Sequence, residues 1–196
     1  STPVGMGHRC RSWGPMSSDR SSHKSSAWTN AEWRRALTAL TATELTDFRQ
    51  TVARGSYRLS DEEATQLAPV WQVNARDDQL PPDGDWRTWY VRGGRGSGKT
   101  RTGAETLASW ILACDGDGMD GDWAVVAPTF GDARDVCIEG PSGLLQALGG
   151  TAGGLIRPGG WNRSHGELFL NSGARVYIDG ANDGAYRTQW KNLRGA

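Results

Sequence analysis

The eight residues Gly93-Gly94-Arg95-Gly96-Ser97-Gly98-Lys99-Thr100 constrain this chain more than any other stretch. They match G-x-x-x-x-G-K-[ST], the pattern of a phosphate-binding loop. Each residue type has a physical reason. Glycines let the backbone curl so that successive amides converge on an anion. Lys99 reaches the β- and γ-phosphates of a nucleotide, and Thr100 offers its hydroxyl to Mg²⁺. A helix beginning at this point aims its positive end at the same anion. The flanks agree. Trp86–Val91 is aromatic and β-branched and predicts a strand, and Thr100–Leu112 predicts a helix. Only three lysines occur in the chain, Lys24, Lys99 and Lys191, so a lysine inside such a loop stands out.

The rest of the chain organises around this loop. Its 196 residues fit one principal domain with a small appendage. Residues 1–27 hold eight serines and only scattered apolar side chains. A disordered tail is the expectation there. Arg9, Arg11, Arg20 and Lys24 against Asp19 give it a basic bias, for which a solvated tail is the simpler reading. Residues 28–68 form a helical appendage with three Ser/Thr-x-x-Glu capping signatures: Thr29/Glu32, Thr41/Glu44 and Ser60/Glu63. Trp33, Ala36, Leu37 and Leu40 share one face of the first helix, and Leu45, Phe48 and Val52 one face of the second. Residues 69–85, with Pro69, Pro81, Pro82 and Gly84, read as a linker. From 86 onward strands and helices alternate. Trp123–Ala127 predicts a strand, Asp132–Ile138 and Ser142–Leu148 predict helices, and Glu167–Leu170 and Arg175–Ile178 flank the hairpin signal Asn171-Ser172-Gly173. The alternation predicts an α/β domain with a parallel sheet flanked by helices.

Composition excludes several classes. Twenty-two basic against 22 acidic residues argue against a dedicated electrostatic nucleic-acid binder, though not against a local basic face. Three cysteines (Cys10, Cys114, Cys137) without a CxxC, and three scattered histidines, give neither a disulfide framework nor metal-ligand spacing. No apolar run approaches the roughly 18 residues of a membrane span. Twenty-seven glycines cluster in loops, notably 93–98, 115–121 and 149–160. The ten tryptophans read as core and interface anchors before base-stacking platforms.

Hydrolysis at a phosphate-binding loop also needs an acid to hold Mg²⁺ at the end of a second strand, often followed by one that orients water. Trp123–Ala127 ends in Pro128-Thr129, without one. Val176-Tyr177-Ile178-Asp179 has the shape, but Gly180 follows, and its pairing with 167–170 makes Asp179 a hairpin-end residue first.

The run from Gly93 to Glu105 resembles the large terminase subunit of tailed bacteriophages, the ATPase that drives DNA into the capsid. Ala75–Pro82 resembles the adenine-side segment of that family, and Val126-Ala127-Pro128-Thr129 its strand end after the loop helix. Arg134-Asp135-Val136, Glu139–Leu145, the hairpin and Leu193-Arg194-Gly195 extend the resemblance over roughly residues 28–196. It implies a RecA-like P-loop ATPase domain over 86–196 that uses ATP and Mg²⁺. Its phosphates would lie on Gly93, Gly94, Arg95, Gly96, Ser97, Gly98, Lys99 and Thr100, with Thr100 as Mg²⁺ ligand and Gln79 near the adenine. Lys99 and Arg95 would be catalytic. Arg95 has a rationale of its own, because a guanidinium stabilises charge on a transferring phosphoryl group. The resemblance further implies double-stranded DNA, a small terminase subunit and a portal as partners. It implies a homo-oligomer of the full-length protein, working without a membrane in the host cytoplasm at the procapsid portal.

In that family the Walker B Asp-Glu follows shortly after the Leu-Arg-Gly segment, and a nuclease domain lies beyond it. The expectation is therefore the front part of a terminase ATPase domain, truncated before Walker B and inactive alone. Two alternatives stand beside it. One is a small complete P-loop NTPase or nucleotide kinase using Asp179, and the other is a non-catalytic remnant that at most binds nucleotide.

Overall fold

The computed structural model describes residues 28–57, 59–114, 122–150 and 154–182. The expected tail at 1–27 and the Leu193-Arg194-Gly195 segment lie outside them. The chain divides into two compact units, Ser1–Val91 and Arg92–Ala196.

The first unit is helical. Helices α1 (Asn30–Thr38), α2 (Ala42–Ala53) and α3 (Asp61–Leu67) each start at one of the three capping boxes. At α1 the Thr29 amide donates to Glu32 Oε2 at 2.7 Å while the Glu32 amide donates to Thr29 Oγ1 at 3.3 Å. Two amides that a helix start leaves without partners are thereby satisfied. The boxes set where each helix begins, and that phase turns Trp33, Leu37, Leu45, Phe48 and Leu67 inward. Trp28, Trp33, Phe48 and Tyr57 follow one another at ring separations of 4.7, 6.0 and 6.1 Å.

Residues 69–85 differ from the expected linker. They hold a short helix α4 (Trp71–Asn74) and a 3-10 turn at Asp77–Gln79. Val70 is fully buried in the helical core, with Val73 and Leu80 packed against it. Arg49 of α2 donates to the carbonyls of Gln72 (2.7 Å) and Ala75 (2.9 Å) and pairs with Asp77 (2.9 Å). Prolines punctuate this stretch, but Val70 and Ala75 between them are buried. Residues 86–91 are not a strand, contrary to their composition. Trp86 donates its indole N–H to Pro82 O at 2.7 Å, and Tyr90 is 79% exposed. Strand propensity is a preference for a pleated, half-buried surface, and no strand among the described residues pairs with these.

The second unit is mixed α/β. Helix α5 (Lys99–Cys114) leads to β1 (Trp123–Ala127). A single turn, α6 (Phe130–Asp132), runs on as a π-helical segment, Ala133–Ile138, followed by the short α7 (Leu144–Ala147). Strands β2 (Ile156–Asn162), β3 (Glu167–Leu170) and β4 (Arg175–Gly180) complete an open sheet in the order β1-β4-β3-β2. Only β1 and β4 are parallel, with Trp123 opposite Val176 and Ala127 opposite Gly180. The described sheet is thus mixed where a parallel one was expected. The reason is connectivity: turns at 163–166 and 171–173 join β2, β3 and β4, and turns that short permit only antiparallel neighbours. The hairpin forms at the expected residues, with Gly173 at φ 99° and the Leu170 amide donating to Ala174 O at 3.0 Å. Strand β2 was hidden in the glycine run, because Pro158-Gly159-Gly160 has turn composition but forms an irregular strand. Gly159 sits at φ 68°, and a Cβ on Gly160 would lie 2.6 Å from Phe169 O.

One face of the sheet carries the core. Leu168, Leu170, Val176 and Ile178 pack with Ala104, Ala108 and Ile111 of α5 and with Ala133, Ile138 and Leu144. Trp110, near the end of α5, stacks on Trp123 at the start of β1 at 6.2 Å. Across the top of the π-helical segment, Glu139 accepts from the Trp161 indole (2.8 Å) and from Arg163 (2.9 Å), while Arg163 also pairs with Asp135 (2.9 Å). These contacts clamp the segment to β2 and the β2–β3 turn.

Candidate phosphate-binding site

The loop turns at two left-handed glycines, Gly96 at φ 79° and Gly98 at φ 88°. An L-residue pays about 1–2 kcal/mol for that conformation, which is why glycine occupies both positions. The Ser97 amide donates to Gly94 O at 3.3 Å and closes the turn. The Thr102 amide donates to Gly98 O at 2.8 Å and opens α5. The first amides of a helix have no partner carbonyl within that helix, and an anion at its start would meet them. Gly93 lies against Ser97, where an added Cβ would come within 2.9 Å of Ser97 Cβ. A glycine at 93 is therefore a packing requirement of the curled loop.

Lys99 folds back over this curl. Its ammonium donates to Gly93 O at 2.8 Å and to Gly94 O at 2.7 Å. The charge therefore sits over the loop that the sequence motif assigns to it. Arg95 and Gly94 are exposed, and Thr100 is half-buried at the second position of α5. The loop residues named from the sequence are thus brought together in one curl. Gln79 belongs to the first unit. Its carboxamide oxygen accepts from the Arg76 amide at 3.2 Å, and the side chain is buried.

The charges around the helix start are one-sided. Helices α1, α2 and α3 each carry an acid in the first turn, which suits the positive end of a helix. Helix α5 carries none there; it has Lys99 and Arg101 instead. Arg101 is ion-paired with Glu105 one turn along. Among the described residues Glu105 is one of the most buried charged side chains, at 2% exposure. This pair is not conspicuous in the motif. Its signal was the i, i+4 spacing of opposite charges on a helix that otherwise faces the core.

Asp179 is the penultimate residue of β4, with 5% of its surface exposed, and its Oδ1 accepts from the Gly180 amide at 2.7 Å. It stands opposite Val126 on the parallel side, and the pairing continues beyond it, with Ala181 N–H to Ala127 O at 2.8 Å. Asp179 is therefore more than the end of a hairpin. It lies at the C-terminal end of a parallel strand pair, the edge at which open α/β sheets hold ligands. Across from it, Thr129 follows β1 and caps α6, accepting from the Asp132 amide at 3.1 Å. Among the described residues no three His, Cys, Asp or Glu side chains stand together as a metal group. Nor is any described helix long and apolar enough to cross a membrane.

No family model, curated protein or solved structure matches this chain.

Proposed function

We propose that this chain is the ATP-binding part of a DNA-packaging motor of the large terminase type, which couples ATP hydrolysis to DNA translocation. The observation that carries the reading is the curl at 93–99, with left-handed Gly96 and Gly98 running into α5 and the Lys99 ammonium laid over it. In this reading the domain is RecA-like, and its partners are double-stranded DNA, a small terminase subunit and a portal, met in the host cytoplasm by a homo-oligomer.

The residues fit a triphosphate. Gly93 lets the loop close on Ser97, where a Cβ would clash, and no acid in the first turn of α5 would compete with an anion there. Lys99 would exchange its two carbonyls for phosphate oxygens, a gain because charge-assisted bonds to an anion are about twice as strong as bonds to a neutral acceptor. Arg95, exposed on the loop, would meet the γ-phosphate. Gln79 is assigned to the adenine. Thr100 would supply one hydroxyl to Mg²⁺, which when bound neutralises charge on the β- and γ-phosphates.

The test is titration calorimetry with Mg-ATP and Mg-ADP on the intact chain and on Lys99→Ala. Loss of most affinity in the variant is expected, and equal affinity removes the site. A second reading, a small complete NTPase or kinase, is favoured by the position of Asp179 at the C-terminal end of β4 beside β1. Phosphate release at saturating ATP separates the two. Turnover that falls with both Lys99→Ala and Asp179→Asn selects the second reading, and turnover no faster than the Lys99→Ala control selects the first.

A further inference from the structure

Residues 133–138 carry two hydrophobic phases, and the fold satisfies only one of them. Ala133 and Ile138 are both fully buried in the core of the second unit. Residues five apart in an α-helix point about 140° away from one another, so α winding cannot turn both inward. π winding can, because its hydrogen bonds join residues five apart. The Glu139 amide donates in this way to Arg134 O at 2.9 Å. Yet the sequence spaces Ala133, Val136, Cys137 and Gly140 at i, i+3, i+4 and i+7, the stripe of an ordinary α-helix. The π winding leaves that stripe unused: Val136 is 50% exposed and Cys137 only half-buried.

Rewinding to α would exchange one large buried side chain, Ile138, for two smaller ones, Val136 and Cys137. Burial scales with apolar area, so it separates the two windings only weakly. The polar contacts separate them more sharply, and they come from outside the segment. The Trp161 indole and Arg163 both donate to Glu139, the residue whose amide closes the π turn, and Arg163 also holds Asp135. A change of winding by one residue turns Glu139 by about 100° relative to Ala133, which takes its carboxylate off both donors. We infer that Ala133–Ile138 is a two-state element, in which the clamp from Trp161 and Arg163 selects π winding and presents Val136 on the surface, while α winding of the same residues withdraws Val136 and Cys137 into the core. Two packings of one segment that differ by so little make a switch.

NMR couplings across hydrogen bonds and alkylation of Cys137 read the winding, in a chain carrying Cys10→Ser and Cys114→Ser so that one thiol remains. With the clamp intact, the Glu139 amide is expected to couple to the Arg134 carbonyl, and Cys137 to react with iodoacetamide. Trp161→Phe/Arg163→Gln releases the clamp. Loss of these bonds should shift the balance about fivefold or more toward α. The Glu139 amide should then couple to the Asp135 carbonyl, and alkylation should slow. Adding Val136→Lys should reverse both effects, because a lysine is tolerated at an exposed position and not in the core. A Glu139 amide that stays on Arg134 in the unclamped chain, with alkylation unchanged, overturns the inference. So does one that exchanges freely while Cys137 reacts faster, the mark of fraying rather than rewinding. If the unclamped chain does not fold, salt takes the place of the substitutions, since exposed ion pairs weaken as ionic strength rises. Alkylation with the clamp residues intact should slow from low to molar salt, and Val136→Lys should remove that dependence. The same salt response with and without Val136→Lys overturns the inference equally.

Discussion

At the scale of single residues, Gly98 illustrates how backbone and chemistry meet. Its φ of 88° is the last left-handed step before α5, and its carbonyl takes the first helical bond, from Thr102. A β-branched side chain there forces either the conformation or the loop to change. Gly98→Val is therefore expected to lower stability by about 1–2 kcal/mol and to abolish phosphate binding by displacing the amides before Thr102. Melting and nucleotide titration on the same sample check both. By contrast Gly94, around which an added Cβ has open space and whose φ is ordinary, should accept alanine with binding within about twofold. The two glycines read alike in the sequence. The motif identifies the loop because each of its residue types serves the same anion, but it does not rank them. Arg101 and Glu105 were harder to see because their pairing depends on burial, which a short motif does not encode.

At the scale of elements, the three capping boxes were legible because each lies within four residues and needs no distant partner. Their carboxylates make a testable electrostatic device. The Thr29 amide, and then its hydroxyl, hold the Glu32 carboxyl below its ordinary value of 4.5, and Thr41 does the same for Glu44. A carboxylate favoured by folding contributes stability that is complete above the ordinary value and is lost as pH falls through the lowered one. Unfolding of the helical unit is thus expected to become easier below about pH 4.5, with a shallower dependence in Glu32→Gln/Glu44→Gln. Helical circular dichroism across pH 7 to 3 gives the slope. Thr41→Ala should cost about 1 kcal/mol at neutral pH. Residues 86–91 and β2 went the other way, since a strand exists only where another strand accepts it. Composition gave 86–91 a strand that no described strand pairs with, and denied one to the stretch around Pro158-Gly159-Gly160, where Ile156, Trp161 and Asn162 pair with β3 on either side of the irregularity.

At the scale of the whole molecule, the described residues hold two apolar cores with no shared members, one around Trp33 and Phe48 and one around Leu168 and Val176. The mixed α/β class was legible from the alternation after residue 86, while the parallel sheet was over-read because hairpins carry the same residue types. The separate cores predict separable damage. Phe48→Ala, at about 3–5 kcal/mol for a buried phenylalanine, should strip hydrogen-exchange protection from residues 28–91. Helix α5 and the sheet should keep theirs. Loss of protection in α5 as well would show that the two cores unfold as one.

The strand order also dictates a schedule. Strands β3 and β4 meet across a three-residue turn, whereas β1 must wait for β4, its partner, until all of α6, α7, β2 and β3 have been made. Closing the small loop costs far less chain entropy than closing the large one. The hairpin is thus the natural seed of the sheet, and its outer edge is the template on which β1 is later laid down. During synthesis the Trp123–Ala127 strand emerges well before its template exists. In that interval its backbone is bare and its apolar side chains are uncovered, so this strand is where a nascent chain of this protein most needs shelter from its neighbours.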